Sequence, residues 1–163
     1  MIQEAFEYSE KYGTPVFLRP TTRVCHGYAS IMVKDETEYT HHQPEGFIKD
    51  SKRWVIFPRL SFMNHKKIEA RNQELSDIFS SYEKNTIHPS CDAFKNSKKG
   101  IATGGISYTY TMETLKKTGM VKTLKIATPH PFPEKLAVDF LSGLDEVLCL
   151  EELDPVIERE LIY

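Results

Sequence analysis

The last third of the chain predicts an α/β fold with a mostly parallel sheet. Three apolar runs, at residues 100–103, 123–127 and 146–150, alternate there with helical patterns. Glycine, proline or acidic residues separate each run from the helix that follows it. Strands that alternate with helices of this length indicate right-handed βαβ units, with helices packed on the sheet. The sequence therefore predicts a three-layer α/β sandwich over residues 97–163.

Glycine and proline mark the ends of the first two predicted helices. The first covers residues 107–118, after the pair Gly104-Gly105, and Gly119 ends it because glycine readily adopts the left-handed conformation that follows many helices. Pro133 suits the first position of the second helix, where its missing N–H costs no hydrogen bond. The side chains expected in the core of the sheet are Ile101, Leu124, Ile126, Val147 and Leu148.

The third predicted helix runs to the end of the chain. Asp154, with Pro155 after it, is a suitable N-cap for this helix. The chain then ends in Leu161, Ile162 and Tyr163, which are large, mostly apolar and not followed by a capping residue. We therefore expect the chain to be part of a longer protein, with its last domain truncated at the C-terminus.

The composition is that of a folded globular protein and gives no sign of nucleic-acid or membrane binding. The chain has 163 residues, a net charge of −2 and a pI near 6.3, so no strongly basic surface is expected. No apolar run has the length of a membrane span, and the first residues do not resemble a signal peptide. The cysteines, Cys25, Cys91 and Cys149, are odd in number and far apart, which favours free thiols in a reducing cytoplasm.

The first 96 residues carry weaker signals. The expected short elements are an N-terminal helix that Gly13 ends, strands at 14–18 and 28–33, a loop at 35–50, an extended segment at 53–57 and a connector at 85–96. The strongest pattern is an amphipathic helix over about residues 63–82. Its apolar stripe consists of Ile68, Leu75, Ile78, Phe79 and Tyr82. We expect this stripe to pack against its own domain, although it could bind a partner instead.

A polar cluster follows the predicted strand at residues 14–18. It contains Thr21, Thr22, Arg23 and His26. Because ligands of open α/β sheets bind at the carboxyl ends of strands, Arg23 and the threonine hydroxyls could contact an anionic substrate. The alternative, which the sequence alone favours, is a hydrogen-bonded connector between two domains.

Two further pairs admit a chemical and a structural interpretation. Gly104 and Gly105 could present a helix N-terminus to an anion, or could permit a tight turn and close packing. Glu151 and Glu152 could supply a general base or a magnesium site, or could be favoured by the dipole of the next helix. The structural interpretation is favoured for both pairs.

The remaining candidates predict no chemistry. His41 and His42 are adjacent, and no Cys, Asp or Glu lies at a spacing typical of a zinc site, so no metal is expected. Cys149 lies within an apolar run and is expected to be a small buried hydrophobe. The residues themselves supply no complete catalytic set.

Several motifs together resemble the alpha subunit of indolepyruvate ferredoxin oxidoreductase. They lie at residues 104–108, 128–136, 141–147 and 151–158, and include Gly-Gly-Ile-Ser-Tyr and Thr-Pro-His-Pro-Phe-Pro. Residues 15–26 resemble the end of that subunit's first thiamine-binding domain. Thr21, Thr22, Arg23 and His26 match a family motif there, and are the positions nominated for the substrate region. The resemblance covers nearly the whole chain.

This resemblance implies a function for the parent enzyme. The family oxidises aryl-2-oxoacids, mainly indolepyruvate, to acyl-coenzyme A with thiamine diphosphate and magnesium, and passes electrons through 4Fe-4S clusters to ferredoxin. The implied partners are the other domains of the alpha subunit, a beta subunit and ferredoxin, and a homo-oligomer is a further expectation. The family's diphosphate motif, cluster cysteines and catalytic glutamate region are absent from this sequence. No catalytic residue and no cofactor are therefore expected in this chain.

The resemblance also divides the chain. Residues 1–29 resemble the end of a pyrimidine-binding domain, 30–96 a linker with the long helix, and 97–163 a transketolase C-terminal-like domain. The expected role is that of a non-catalytic structural domain. Two alternatives stay open: a free-standing α/β module that binds an anion or coenzyme A, and a domain that holds subunits together through Trp54 and the helix at 63–82.

Overall fold

The computed structural model describes residues 2–39, 43–44 and 46–162, without the side chain of Arg23. The chain forms two compact units, Met1–Ile68 and Glu69–Tyr163, here called unit 1 and unit 2. The boundary falls inside the predicted linker. The assignment of residues 1–29 to a pyrimidine-binding domain stays a prediction.

Unit 1 consists of helices joined by extended segments. Its elements are α1 (Ile2–Tyr12), α2 (Thr22–Cys25), a 3₁₀ turn (Glu36–Glu38), α3 (Ser51–Trp54) and the start of α4 (Pro58–Ser80). The N-terminal helix ends where the sequence predicts, because Gly13 has a φ of +57°. The side chain of Asp35 accepts the N–H of Thr37 at 3.1 Å and so begins the 3₁₀ turn.

Three predictions for unit 1 are wrong. Residues 14–18 and 28–33 form no strand, and the side chains of Phe17 and Met32 are 88% and 98% exposed. Their apolar, β-prone composition gave the prediction, but a strand also needs a neighbour to pair with. The segment at 53–57 begins inside α3, because the Asp50 side chain accepts the N–H of Lys52 at 2.9 Å and starts a helical turn.

Unit 2 is an α/β domain with an open, mixed sheet. Its strands are β1 (Thr86–His88), β2 (Lys99–Gly104), β3 (Lys122–Ile126) and β4 (Glu146–Leu150), in the spatial order β1-β3-β2-β4. Its helices are α5 (Gly105–Thr118), α6 (Glu134–Leu141), α7 (Val156–Ile162) and the remainder of α4. Strand β2 pairs in parallel with both β3 and β4, which confirms the predicted α/β class and the three parallel strands.

Strand β1 is an addition to the predicted sheet. It pairs antiparallel with β3 through Ile87 and Leu124. The sequence predicts only a connector at 85–96, because three residues are too few to establish an alternating pattern. A transketolase C-terminal-like topology stays a prediction for this domain.

The two faces of the sheet have different chemistry. One, here called the apolar face, packs against α6 and α7; its core consists of Ala102, Leu124, Ile126, Phe132, Ala137, Phe140 and Ile157. The opposite face, here called the threonine face, carries the fully buried Thr103 and Thr123. Helix α5 covers the threonine face, where Thr111 and Leu115 are its buried residues. Unit 2 therefore has the three predicted layers.

The predicted core is confirmed in part. Leu124 and Ile126 are buried, whereas Ile101 and Val147 are only partly buried. Leu148 is 56% exposed, so its assignment to the core is wrong. The register places Leu148 beside Ile101, on the threonine face. Leu148 is exposed there because β4 is an edge strand that α5 covers only in part.

Helix α4 begins at Pro58, earlier than predicted, since proline suits the first turn of a helix. Of its apolar stripe, Leu75 is buried, whereas Ile68 remains 40% exposed. In unit 2 the Ser76 hydroxyl donates to the carbonyl of Phe132 at 2.5 Å, and Lys135 pairs with Asp77 at 2.8 Å. These contacts agree with the expected packing of the helix against its own domain. Among the described residues, no helix has the length and apolar composition that crossing a bilayer requires.

Candidate functional site

The carboxyl ends of the parallel strands bring three of the resembling motifs to one edge of the sheet. Gly104 ends β2, Ala127 follows β3, and Glu151 follows β4. Helix α5 covers the threonine face and α6 the apolar face, so the connections after β2 and β3 lead to opposite faces. Such a change of direction is where open α/β sheets bind ligands. This edge is therefore the candidate site of unit 2.

The glycine pair serves two distinct backbone requirements. A Cβ at Gly104 would lie 2.7 Å from the carbonyl oxygen of Ile126 and 3.2 Å from Cδ1 of Ile157, so no larger residue fits between the strand and α7. Gly105 has a φ of +55°, and a Cβ there would meet open space. The pair thus supports the structural interpretation. Anion binding by Gly104 and Gly105 stays a prediction.

The loop after β3 is held by the buried side chain of Asn85. Its Oδ1 accepts the N–H groups of Ala127 and Thr128 at 2.7 and 3.2 Å. Its Nδ2 donates to the hydroxyl of Thr128 at 2.6 Å and to the carbonyl of Phe79 at 2.9 Å. The loop continues through a cis peptide bond between His130 and Pro131. Asn85 therefore fixes the backbone on the β3 side of the candidate site.

Glu151 caps the last helix. Its Oε1 accepts the N–H of Ile157 at 2.7 Å, and its Oε2 accepts the N–H of Glu158 at 3.0 Å. The prediction that Asp154 is the side-chain cap is wrong. Glu151 reaches both N–H groups from the end of β4, and only the backbone carbonyl of Asp154 takes part, accepting the N–H of Val156. The structural interpretation of the acidic pair holds for Glu151, whereas Glu152 is exposed.

Cys149 lies beside this cap. It is partly buried against the core of the apolar face. Burial, with smaller contributions from the negative charges of Glu151 and Glu158, raises the pKa of the Cys149 thiol from 9.0 to about 11. The thiol is therefore protonated at neutral pH, as expected for a residue that packs and does not react.

The candidates in unit 1 share one helical turn. The N–H of Cys25 donates to the carbonyl of Thr21 at 3.0 Å, and that of His26 donates to the carbonyl of Thr22 at 3.1 Å. Thr21 is half-buried and forms no side-chain cap, while Thr22 and His26 are exposed. The side chain of Arg23 lies outside the described part of the chain. The turn thus groups the four positions on the backbone, and their role in the substrate region stays a prediction.

In the described ranges, no three His, Cys, Asp or Glu side chains are grouped so as to hold a metal ion. His41 and His42 lie outside the described residues, so the expectation that they bind no metal is not tested there.

Two features were missed in the sequence. Asn85 and His88 both lie in the segment interpreted as a connector, and their partners Thr128 and Tyr108 are distant in sequence. Nothing in the local pattern of residues 85–96 indicates these contacts. The antiparallel pairing of β1 with β3 brings Asn85 to Thr128, and the packing of α5 on the sheet brings Tyr108 to His88.

The chain is similar to archaeal proteins named Indolepyruvate oxidoreductase subunit IorA. It is 35% identical over 163 residues to the protein of Methanothermobacter thermautotrophicus and 36% identical over 165 residues to that of Pyrococcus abyssi. The protein of Archaeoglobus fulgidus is 29% identical over 156 residues. The alignments cover 99%, 98% and 94% of this chain, but 25%, 25% and 24% of the respective relatives.

The chain therefore spans about a quarter of the length of the curated relatives it matches. These matches confirm the resemblance to indolepyruvate oxidoreductase subunits that the motifs indicate. No protein-family model and no solved structure matches the chain.

Proposed function

We propose that this chain, which corresponds to a quarter-length segment of indolepyruvate oxidoreductase subunits, is a non-catalytic structural domain of such an enzyme. The parent would oxidise aryl-2-oxoacids, chiefly indolepyruvate, to acyl-coenzyme A. In this proposal the chain docks against the catalytic domains of the same subunit, and unit 1 supplies the docking surface.

The observation that carries this proposal is the apolar surface of unit 1. Its extended segments expose large apolar side chains, among them Phe17, Tyr28, Ile31, Met32, Phe47 and Ile56. A protein that works alone seldom exposes so many such side chains, because leaving apolar area in water forgoes its burial energy. Since the relatives are about four times longer than the match, their remaining domains are the occupants that we propose for this surface.

The edge of unit 2 supports the non-catalytic part of the proposal. Both carboxylate oxygens of Glu151 accept hydrogen bonds from the start of α7, which hold the carboxylate in a fixed position. The raised pKa of Cys149 keeps its thiol protonated. The most reactive side chains near the strand ends thus have structural partners.

The family resemblance supplies the finer terms of the proposal. Thiamine diphosphate, magnesium and 4Fe-4S clusters would be held by other parts of the parent, and a beta subunit and ferredoxin would be its partners. We assign the chain to the cytoplasm, where free thiols such as Cys25, Cys91 and Cys149 are maintained. Thr21, Thr22, Arg23 and His26 would lie at the substrate region, with Arg23 pairing with the substrate carboxylate.

The stability and rate of the intact enzyme test the docking role. Phe17→Ser combined with Met32→Ser should lower the thermal stability of the intact enzyme and its rate of indolepyruvate-dependent electron transfer. Leu153→Ser is the matched control, because Leu153 is 95% exposed and lies in unit 2. Wild-type thermal stability and rate in the double variant would show that this surface does not dock.

Calorimetry on the 163-residue chain tests the non-catalytic role. We expect no heat of binding with thiamine diphosphate and magnesium, and none with coenzyme A. Micromolar binding of thiamine diphosphate would show that the cofactor site lies in this chain and would contradict the non-catalytic role. Micromolar binding of coenzyme A would favour the free-standing binding module instead.

A further inference from the structure

A cluster of polar side chains lies on the threonine face, between β1 and the first turns of α5. The hydroxyl oxygen of Tyr108 lies 3.0 Å from Nε2 of His88, and that of Thr86 lies 3.3 Å from the same nitrogen. The rings of His88 and Tyr108 are stacked, with centroids 5.8 Å apart. Nζ of Lys125 lies 4.8 Å from the centroid of the Tyr108 ring. All four side chains are partly buried.

The strand register explains why these groups meet. Thr86 pairs with Lys125 across β1 and β3, and His88 pairs with Thr123. The side chains of Thr86, His88, Lys125 and Thr123 therefore all point to the threonine face. Tyr108 belongs to the first turn of α5, which packs on the same face. The cluster is thus fixed by both the sheet and the helix.

The cluster has unused capacity to donate hydrogen bonds. One imidazole nitrogen carries either one hydrogen or one lone pair, so Nε2 of His88 can fully serve only one of the two hydroxyls. When Nε2 carries the hydrogen, both Tyr108 and Thr86 have an O–H free to donate to a further group. Such a group must be an acceptor.

The cluster also has a positive charge without a carboxylate partner. In the described part of the chain, Lys125 forms no ion pair, and its ammonium group lies over the ring of Tyr108. The acidic residue nearest in the helix, Glu113, is 3.5 Å from Lys117 and pairs with it. A partly buried ammonium group without a counter-ion favours an anion beside it.

The space beside the cluster can hold a small molecule. An open depression of about 430 Å³ runs along α5 and is lined by Tyr108, Thr109, Met112, Glu113 and Lys116. The depression meets the cluster at Tyr108, which belongs to both. Met112 and the ring of Tyr108 offer apolar contact, and Lys116 adds a second cation.

We propose that Lys125, Tyr108 and Thr86, with the two hydroxyls oriented by His88, bind the phosphate group of a small molecule whose body lies in the depression along α5. A phosphate group accepts hydrogen bonds in several directions and can engage the ammonium and both hydroxyls together. A planar carboxylate has two oxygens and engages fewer of these donors. The site lies outside the docking surface of unit 1, so it is independent of the proposed architectural role.

Nuclear magnetic resonance on the 163-residue chain tests this site. Inorganic phosphate is titrated at constant ionic strength while the imidazole signals of His88 are followed. We expect saturable shifts with phosphate and much weaker ones with acetate. Shifts that do not saturate, or acetate binding as tight as phosphate binding, would overturn the proposal.

Matched variants identify the groups that bind. Lys125→Met should weaken phosphate binding about tenfold, the usual effect of losing a hydrogen bond to a charged group. Lys117→Met removes the same charge from the outer side of α5 and should change binding by less than about twofold. Equal effects of the two variants would show only non-specific attraction and so refute the site.

Tyr108→Phe offers an independent check, because it removes the hydroxyl and keeps the stacked ring. It should also weaken phosphate binding while leaving the circular dichroism spectrum unchanged. Unchanged phosphate affinity in a folded Tyr108→Phe variant would contradict the proposed role of the cluster.

Discussion

Asn85 and Thr128 are joined by two hydrogen bonds that connect the turn before β1 to the loop after β3. Nδ2 of Asn85 donates to the Thr128 hydroxyl at 2.6 Å, and the N–H of Thr128 donates to Oδ1 of Asn85 at 3.2 Å. Ala127 and Phe79 complete the set of four bonds. Asn85 is 5% exposed, so water does not replace a bond that is lost.

Asn85→Ala should therefore lower the free energy of unfolding by about 2–3 kcal/mol, because it leaves buried backbone groups without partners. Urea denaturation followed by circular dichroism measures the change. Asn96→Ala is the matched control, since Asn96 is exposed, and should change stability by less than about 0.5 kcal/mol. Equal stability of the two variants would show that the hydrogen bonds of Asn85 contribute nothing to the free energy of unfolding.

Glu151→Ala should destabilise the chain by about 1 kcal/mol, the typical cost of losing a helix N-cap. The reason is that the N–H groups of Ile157 and Glu158 lose their acceptor. Glu152→Ala serves as control because Glu152 is exposed and follows directly in the chain. Thermal unfolding of both variants measures the loss of stability. An equal or larger loss in Glu152→Ala would show that Glu151 does not stabilise the chain as a helix cap.

Gly104→Ala should cost about 3 kcal/mol, because the new Cβ meets the backbone oxygen of Ile126 at 2.7 Å and the strand must shift. Gly105→Ala should cost only about 1–2 kcal/mol, the penalty of a left-handed conformation in open space. Chemical denaturation measures both. The reverse order would mean that the sheet and α7 can separate easily at this point.

Cys149 makes the stability depend on alkaline pH. Folding raises its pKa from 9.0 to about 11, so the folded state holds this proton more tightly than the unfolded state. The resulting stabilisation is complete below the unfolded pKa and is lost as the pH rises through the folded pKa. Between these values the wild type should lose more stability than Cys149→Ala, as urea unfolding at a series of pH values would show.

The same thiol should react slowly with iodoacetamide at about pH 8, since the thiolate is the reactive form. The exposed Cys25 provides the internal comparison in the same experiment. Mass spectrometry after short exposure should find Cys25 modified first. Faster modification of Cys149 would contradict its raised pKa.

The sequence predicted the parallel strands of unit 2 because its signals there are local. Gly119 and Pro133 lie next to the helix ends they mark. Leu124 and Ile126 recur at the two-residue spacing that places side chains on one face of a strand, and both are buried. Leu148 shows the limit of this reasoning. Its apolar character is visible in the sequence, but whether a helix covers it depends on where β4 lies in the sheet.

The candidate site was predictable only where its residues act on near neighbours. Glu151 acts on Ile157 and Glu158, a few positions further along the chain. A structural role was favoured for it and also for Gly104, although Ile126 and Ile157, which crowd Gly104, are distant in sequence. Asp154 was chosen as the cap by position alone, and Glu151 competes for the same N–H groups from the preceding strand. Three of the four hydrogen bonds of Asn85 reach partners 42 or 43 positions away, beyond the reach of any local pattern.

The threonine face determines which part of unit 2 opens first. The hydroxyl of Thr103 donates to a carbonyl of β4, and that of Thr123 donates to the carbonyl of the residue before β3. The hydroxyl of Thr111 donates to a carbonyl within α5. None of these three bonds therefore joins α5 to the sheet. Helix α5 therefore rests mainly on Leu115 and the Tyr108 cluster, whereas α6 rests on the buried Phe140. Amide protons of α5 should exchange with deuterium through a partial opening, well before those of β3, which exchange only when the whole domain unfolds.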